Sequence, residues 1–149
     1  LFRKLQNVTD GEKIKIVRFT YAYFFVIIVS TLVFVAISPF FMRVFVGKEF
    51  HGSLAFLVWI ALGYCFDGMY YMVVNYIFYV EKTYLLGIVT FFGAAVNVFL
   101  SYFFILHFGT VGAAQATSLT HLFTFLCVWY LSSSVYPMPW KSALRFKKN

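Results

Sequence analysis

Apolar residues fall into four long runs, 19–37, 54–80, 84–106 and 111–131, separated by shorter polar stretches. Each run is continuous rather than alternating. Each also meets the length of about 20 residues that a helix needs to cross a hydrocarbon core about 30 Å thick. Across all four, Asp67 is the only formally charged side chain. Strands of a membrane barrel would be about 10 residues long and would alternate apolar with polar positions. The pattern therefore predicts an all-α integral membrane chain with four transmembrane helices.

The polar positions inside the runs recur at helical spacing. Gly63, Asp67 and Tyr71 form an i, i+4, i+8 line in the second run, with Tyr64 adjacent. Gly87, Thr90, Ala94, Asn97 and Ser101 share one sector of the third, and Ala114, Thr117, Ser118, His121 and Thr124 one face of the fourth. Gly112 and Ala116 add a small pair. Small residues let helix backbones approach within lipid, so each of these faces is expected to turn inward. Asp67 and His121 sit at the midpoints of their runs and Asn97 two residues from the midpoint of its own. The three are thus expected at one depth, as a polar layer near the bilayer centre.

Asn97, Thr117 and Ser118 read first as interhelical hydrogen-bonding groups. Asp67 is different, because a lone carboxylate in hydrocarbon needs a partner, a proton or water. His121 is the nearest candidate partner by depth. Asp67, Tyr71, Asn97 and His121 are therefore the candidate lining of a substrate or ion pathway, with the identity of any coupling ion left open.

Charge adds an orientation. The net charge is +7. Ten of the twelve Lys and Arg residues lie in segment 1–18, at Lys82 or in segment 132–149, against Arg43 and Lys48 on the other side. Basic loops stay inside, so both termini are expected to be cytoplasmic. Segment 1–18 then reads as a basic interfacial stretch and 132–149 as a basic cytoplasmic tail near anionic lipid. Trp129, Tyr130, Tyr136 and Trp140 fit an aromatic belt where the fourth helix leaves the bilayer. Phe41, Val44 and Phe45 are spaced for a separate interfacial turn in the first connection. The first apolar run is too long for a secretory signal, and Pro39 would follow the cut. The triplet Asn7-Val8-Thr9 matches a glycosylation acceptor on the wrong face.

Composition narrows the function classes. With 62% of residues apolar, 23% aromatic, only 11% charged and a mean hydropathy of +0.85, the chain is not expected to be a soluble domain, a disordered tail or a nucleic-acid binder. Membrane lipid is the expected partner. Cys65 and Cys127 lie in apolar stretches with no metal-ligand spacing. No Ser/His/Asp arrangement, paired carboxylates, phosphate-cradling loop or cofactor motif occurs, so neither an enzyme nor a cofactor is expected.

Several motifs carry a resemblance. The run Phe45-Val-Gly-Lys-Glu-Phe50, the short turn Glu81-Lys82, the mid-helix Asn97 and the run Phe108-Gly-Thr-Val-Gly-Ala-Ala-Gln-Ala-Thr117 occur in that order. Ahead of them stand Leu1-Phe-Arg-Lys-Leu-Gln6 and Asp10-Gly-Glu-Lys13. Together they resemble the C-terminal part of bacterial polysaccharide flippases, in the superfamily shared with multidrug and toxin exporters. The resemblance spans almost the whole chain and corresponds to the last four of twelve or more helices in a two-lobed transporter. Leu106-His107 departs from the Ile-Pro usual there. With Leu at position 1, the chain is expected to be processed or to be the end of something longer. The resemblance implies translocation of an undecaprenyl-pyrophosphate-linked oligosaccharide repeat unit, such as an O-antigen or capsule unit, across the bacterial cytoplasmic membrane. It also implies missing N-terminal helices of the same protein as partners, and it fixes no substrate-binding residue. Two other readings stand beside it: a drug or toxin exporter of the same superfamily, and a self-standing four-helix membrane subunit.

Overall fold

The structure is a computed structural model that describes residues 10–45, 53–136, 138 and 140. The Asn7-Val8-Thr9 triplet, the opening link at residues 1–6, most of the run ending at Phe50 and the basic tail beyond Trp140 lie outside the described residues. Four helices make up the described chain: α1 (Asp10–Phe45), α2 (Ser53–Tyr79), α3 (Tyr84–Phe108) and α4 (Thr110–Val135). All four are long and apolar enough to cross a membrane. By length and composition these four helices are those of a membrane protein, and the described residues hold no strand.

Three helices fall close to their expected bounds, but α1 is far longer than the run 19–37. It begins in the basic segment and continues through Pro39 to Phe45. A proline costs a helix the N–H of its own position, here the donor that the Val35 carbonyl would take; membrane helices carry prolines where neighbouring groups or local backbone adjustment take up the freed carbonyl. Beside it the Ser38 hydroxyl donates back to the Phe34 carbonyl at 2.6 Å. Phe41 and Val44, expected in a separate interfacial turn, instead belong to the last turns of α1, where both are exposed.

The helices pack in the order α1, α2, α4, α3, because α4 contacts both α2 and α3 extensively while α1 packs chiefly on α2. Small residues allow this. Gly63 brings α2 against Ser118, where an added Cβ would lie 3.4 Å from the Ser118 Cα. A Cβ on Gly93 would lie 3.0 Å from the Thr124 hydroxyl, which draws α3 onto α4.

The two connecting turns differ in chemistry. After α2 the chain reverses through Glu81, whose φ of 59° is left-handed. Its N–H donates to Phe78 at 3.1 Å and the Lys82 N–H to Ile77 at 3.3 Å, the Schellman pattern that usually places glycine where Glu81 stands. Between α3 and α4, Gly109 adopts φ 62° and ψ −146°, a conformation open almost only to glycine. Three residues on, any side chain at Gly112 would collide with the Phe104 carbonyl. These two glycines make the tight α3–α4 reversal.

The most buried part of the core sits where α1 begins and where α2 and α4 end. Val17, Thr20, Val73, Tyr76, Ile77 and Val128 are fully buried there. The Thr20 hydroxyl donates to the Ile16 carbonyl at 3.0 Å. With that hydrogen committed, the 3.1 Å contact between Thr20 Oγ1 and the Tyr76 hydroxyl has tyrosine as donor. Tyr136 stacks on Tyr76 with 6.4 Å between centroids, Trp140 packs edge-on against Tyr76 and Tyr21, and Phe24 against Trp129. Lys13 caps the cluster, its ammonium 5.7 Å from the Tyr136 ring centre. Burial and then the neighbouring Tyr79 push the Tyr136 phenol above its ordinary value. The expected aromatic belt is corrected accordingly. Tyr130 is exposed, whereas Trp129, Tyr136 and Trp140 turn inward, against Phe24, Tyr76 with Tyr79, and Tyr21 respectively.

Candidate functional site

Asp67 sits midway along α2, on the side that meets α4. From α4, His121 approaches it, with Nδ1 3.4 Å from the Asp67 Oδ1. That distance is longer than a tight hydrogen bond, and the contact is an ion pair only when the imidazole carries a proton. Neither group is sealed: the carboxylate side chain is 25% exposed and the imidazole 35%. Both line a cavity of 330 Å³ between α2, α3 and α4, with Tyr70, Thr90, Ala94 and Thr124 on its walls. A carboxylate with an imidazole partner and an opening to small molecules answers the cost of charge in lipid. The pair can accept or release a proton, or present hydrogen-bonding atoms to a polar ligand.

Asn97 lies at the same depth but takes a different partner. Its amide donates to the Thr120 hydroxyl at 3.1 Å, and Thr120 donates in turn to the Ala116 carbonyl at 2.9 Å. Asn97 therefore ties α3 to α4 one residue from His121. Tyr71 points elsewhere and is exposed; its backbone carbonyl accepts from Asn75 at 2.7 Å. The wall beside Asp67 is taken by Tyr70, because a residue at i+3 on a helix faces a different flank from one at i+4. Tyr70 had no signal in the sequence apart from its neighbour.

The expected faces are rotated in part. On α3 the buried positions are Leu86, Val89 and Gly93, each one residue before the expected Gly87, Thr90 and Ala94. Gly87 is exposed, while Thr90 and Ala94 border the cavity at its rim. On α4 the expected face holds for Ala114 and Ser118, which are buried, as are Gly112 and Ala116. Thr117 is exposed and donates to the Ala113 carbonyl at 3.0 Å.

Two further cavities adjoin this one. His121 also lines a space of 470 Å³ between α2 and α4, beside Trp59, Gly63 and Ser118. Phe56, Ile60 and Tyr64 separate it from a cleft of 680 Å³ between α1 and α2, where Ile27, Phe34 and Leu57 form the walls. Among the described residues no three His, Cys, Asp or Glu side chains gather as a metal site would require. Cys65 is buried and Cys127 half-buried, both as free thiols. No family model matches this chain, and neither a curated protein nor a solved structure matches it.

Proposed function

We propose that this chain is the membrane-embedded C-terminal part of a bacterial flippase that moves a lipid-linked oligosaccharide repeat unit across the cytoplasmic membrane. The observation that carries the reading is the Asp67–His121 contact at mid-depth, open to a cavity between three helices. Intramembrane ionisable residues facing a cavity mark transport pathways more than packing contacts. The motif resemblance, above all Phe108 to Thr117, supplies the substrate class. Supporting the same reading, Gly109 and Gly112 of that run form the reversal that presents α4 to both α2 and α3. In this reading both termini are cytoplasmic, as the basic segments require, and further helices of the same protein cover the outer faces of α1 and α3.

The apolar cleft between α1 and α2 also favours a second reading, export of a lipophilic drug or toxin. Deleting the gene in its source bacterium separates them. Loss of surface polysaccharide with lipid-linked repeat units accumulating inside supports the flippase. Intact polysaccharide with heightened sensitivity to lipophilic cations supports the exporter, and no change in either contradicts both.

A further inference from the structure

The 470 Å³ cavity between the first halves of α2 and α4 is distinct in chemistry from its neighbours. Its size lies within the range of about 300–1,000 Å³ taken by small-molecule sites, which combine apolar walls with a few placed polar groups. Trp59 and Tyr64 supply broad ring faces, and Tyr64 is 71% exposed, so its ring is open to a ligand. On the opposite wall stand Thr117 and His121. The Thr117 hydrogen is committed to Ala113, leaving its oxygen to accept. The His121 Nδ1 is turned to Asp67 while its Cδ2 edge lies toward Gly63 in this cavity, so Nε2, bonded to Cδ2, is the ring nitrogen not engaged with Asp67.

A hydrocarbon chain filling this space would desolvate the hydroxyl and the imidazole without replacing their hydrogen bonds. A sugar ring fits both walls, since its C–H face is apolar and its rim carries hydroxyls. The adjacent 680 Å³ cleft has almost wholly apolar walls and shares Phe56, Ile60 and Tyr64 with the first. An amphiphile can therefore lay its chain in one space and a sugar in the other, with Tyr64 between them.

We infer that Trp59, Tyr64, Thr117 and His121 form a contact subsite for a pyranose of the lipid-linked substrate. The inference rests on the flippase reading and deepens it. Its test uses the full-length gene returned to a deletion strain, with surface polysaccharide measured per inserted molecule. Trp59→Phe keeps a ring face and is expected to export like wild type. Trp59→Leu keeps apolar bulk without the face and is expected to export about tenfold less, the scale of one good aromatic contact. A second arm places a cysteine at Ala113 in a Cys65→Ala, Cys127→Ala background and follows its reaction with a small maleimide. The reaction is expected to slow about fivefold or more where the cell makes the lipid-linked repeat unit, compared with a strain that cannot. If Leu exports as well as Phe, or the Ala113 position is equally reactive in both strains, the subsite is overturned while the flippase reading stands. Should deletion itself leave surface polysaccharide intact, the flippase reading and the subsite fall together.

Discussion

The Asp67 carboxylate and the His121 imidazole meet at 3.4 Å although α3 intervenes between their helices in sequence. The contact exists because α4 packs directly on α2, with Gly63 and Ser118 close enough to align the two helices one turn away. Both groups are partly open, so their mutual energy is screened. Replacing either by alanine is expected to weaken resistance to unfolding in detergent, and the double replacement to cost less than the sum. A coupling of about 0.5 kcal/mol is the expected scale for such a contact in a membrane bundle. Strict additivity in the double-mutant cycle contradicts a direct interaction.

The buried pair of Thr20 and Tyr76 makes a sharper stability prediction. Thr20→Val preserves shape but strands the tyrosine hydroxyl in a fully buried place, a loss of about 1–3 kcal/mol. Adding Tyr76→Phe removes the stranded donor and is expected to recover much of that loss. A double variant no more stable than Thr20→Val means that the contact does not hold α1 to α2.

The two turns should respond in opposite directions. Glu81→Gly relieves a left-handed non-glycine residue and is expected to stabilise by about 0.5–1 kcal/mol. Gly109→Ala places a Cβ in a conformation reserved for glycine and is expected to cost about 1–3 kcal/mol. Thermal unfolding in one detergent measures both; shifts of the same sign contradict the turn geometry.

Much of this architecture is legible in the sequence because lipid imposes a simple rule. The runs beginning at 54, 84 and 111 give α2, α3 and α4 nearly to the residue at their starts, and midpoint counting places Asp67, His121 and Asn97 at one depth. Orientation about each helix axis is harder. Nothing local distinguishes Tyr70 from Tyr71, or Gly87 from Leu86, since the choice depends on where α4 lies, and α4 comes last in the chain. The extent of α1 is hidden as well. Its charged start and Pro39 both look like boundaries, yet the helix passes through each. The inward turn of Trp129, Tyr136 and Trp140 is hidden for another reason: a belt and a buried cluster use the same residue types.

Topology can be checked at the two turns. In the proposed topology, argued from the charge asymmetry, the α2–α3 turn is inside and the α3–α4 turn outside. Thr83 and Thr110 are both exposed, so cysteines there are accessible from their own side. In intact cells a membrane-impermeant maleimide is expected to mark Thr110→Cys and to leave Thr83→Cys unmarked until the membrane is permeabilised. The reverse labelling inverts the orientation.

The transport account turns on the charge of Asp67. Asp67→Asn keeps the shape and a hydrogen-bonding amide beside His121 but removes the carboxylate, so insertion is expected to survive. The measurement is surface polysaccharide exported per inserted full-length molecule in a deletion strain. Loss of a required charge predicts a fall of about tenfold or more at normal protein abundance. Export equal to wild type contradicts the account and returns Asp67 to the role of a contact that holds two helices together.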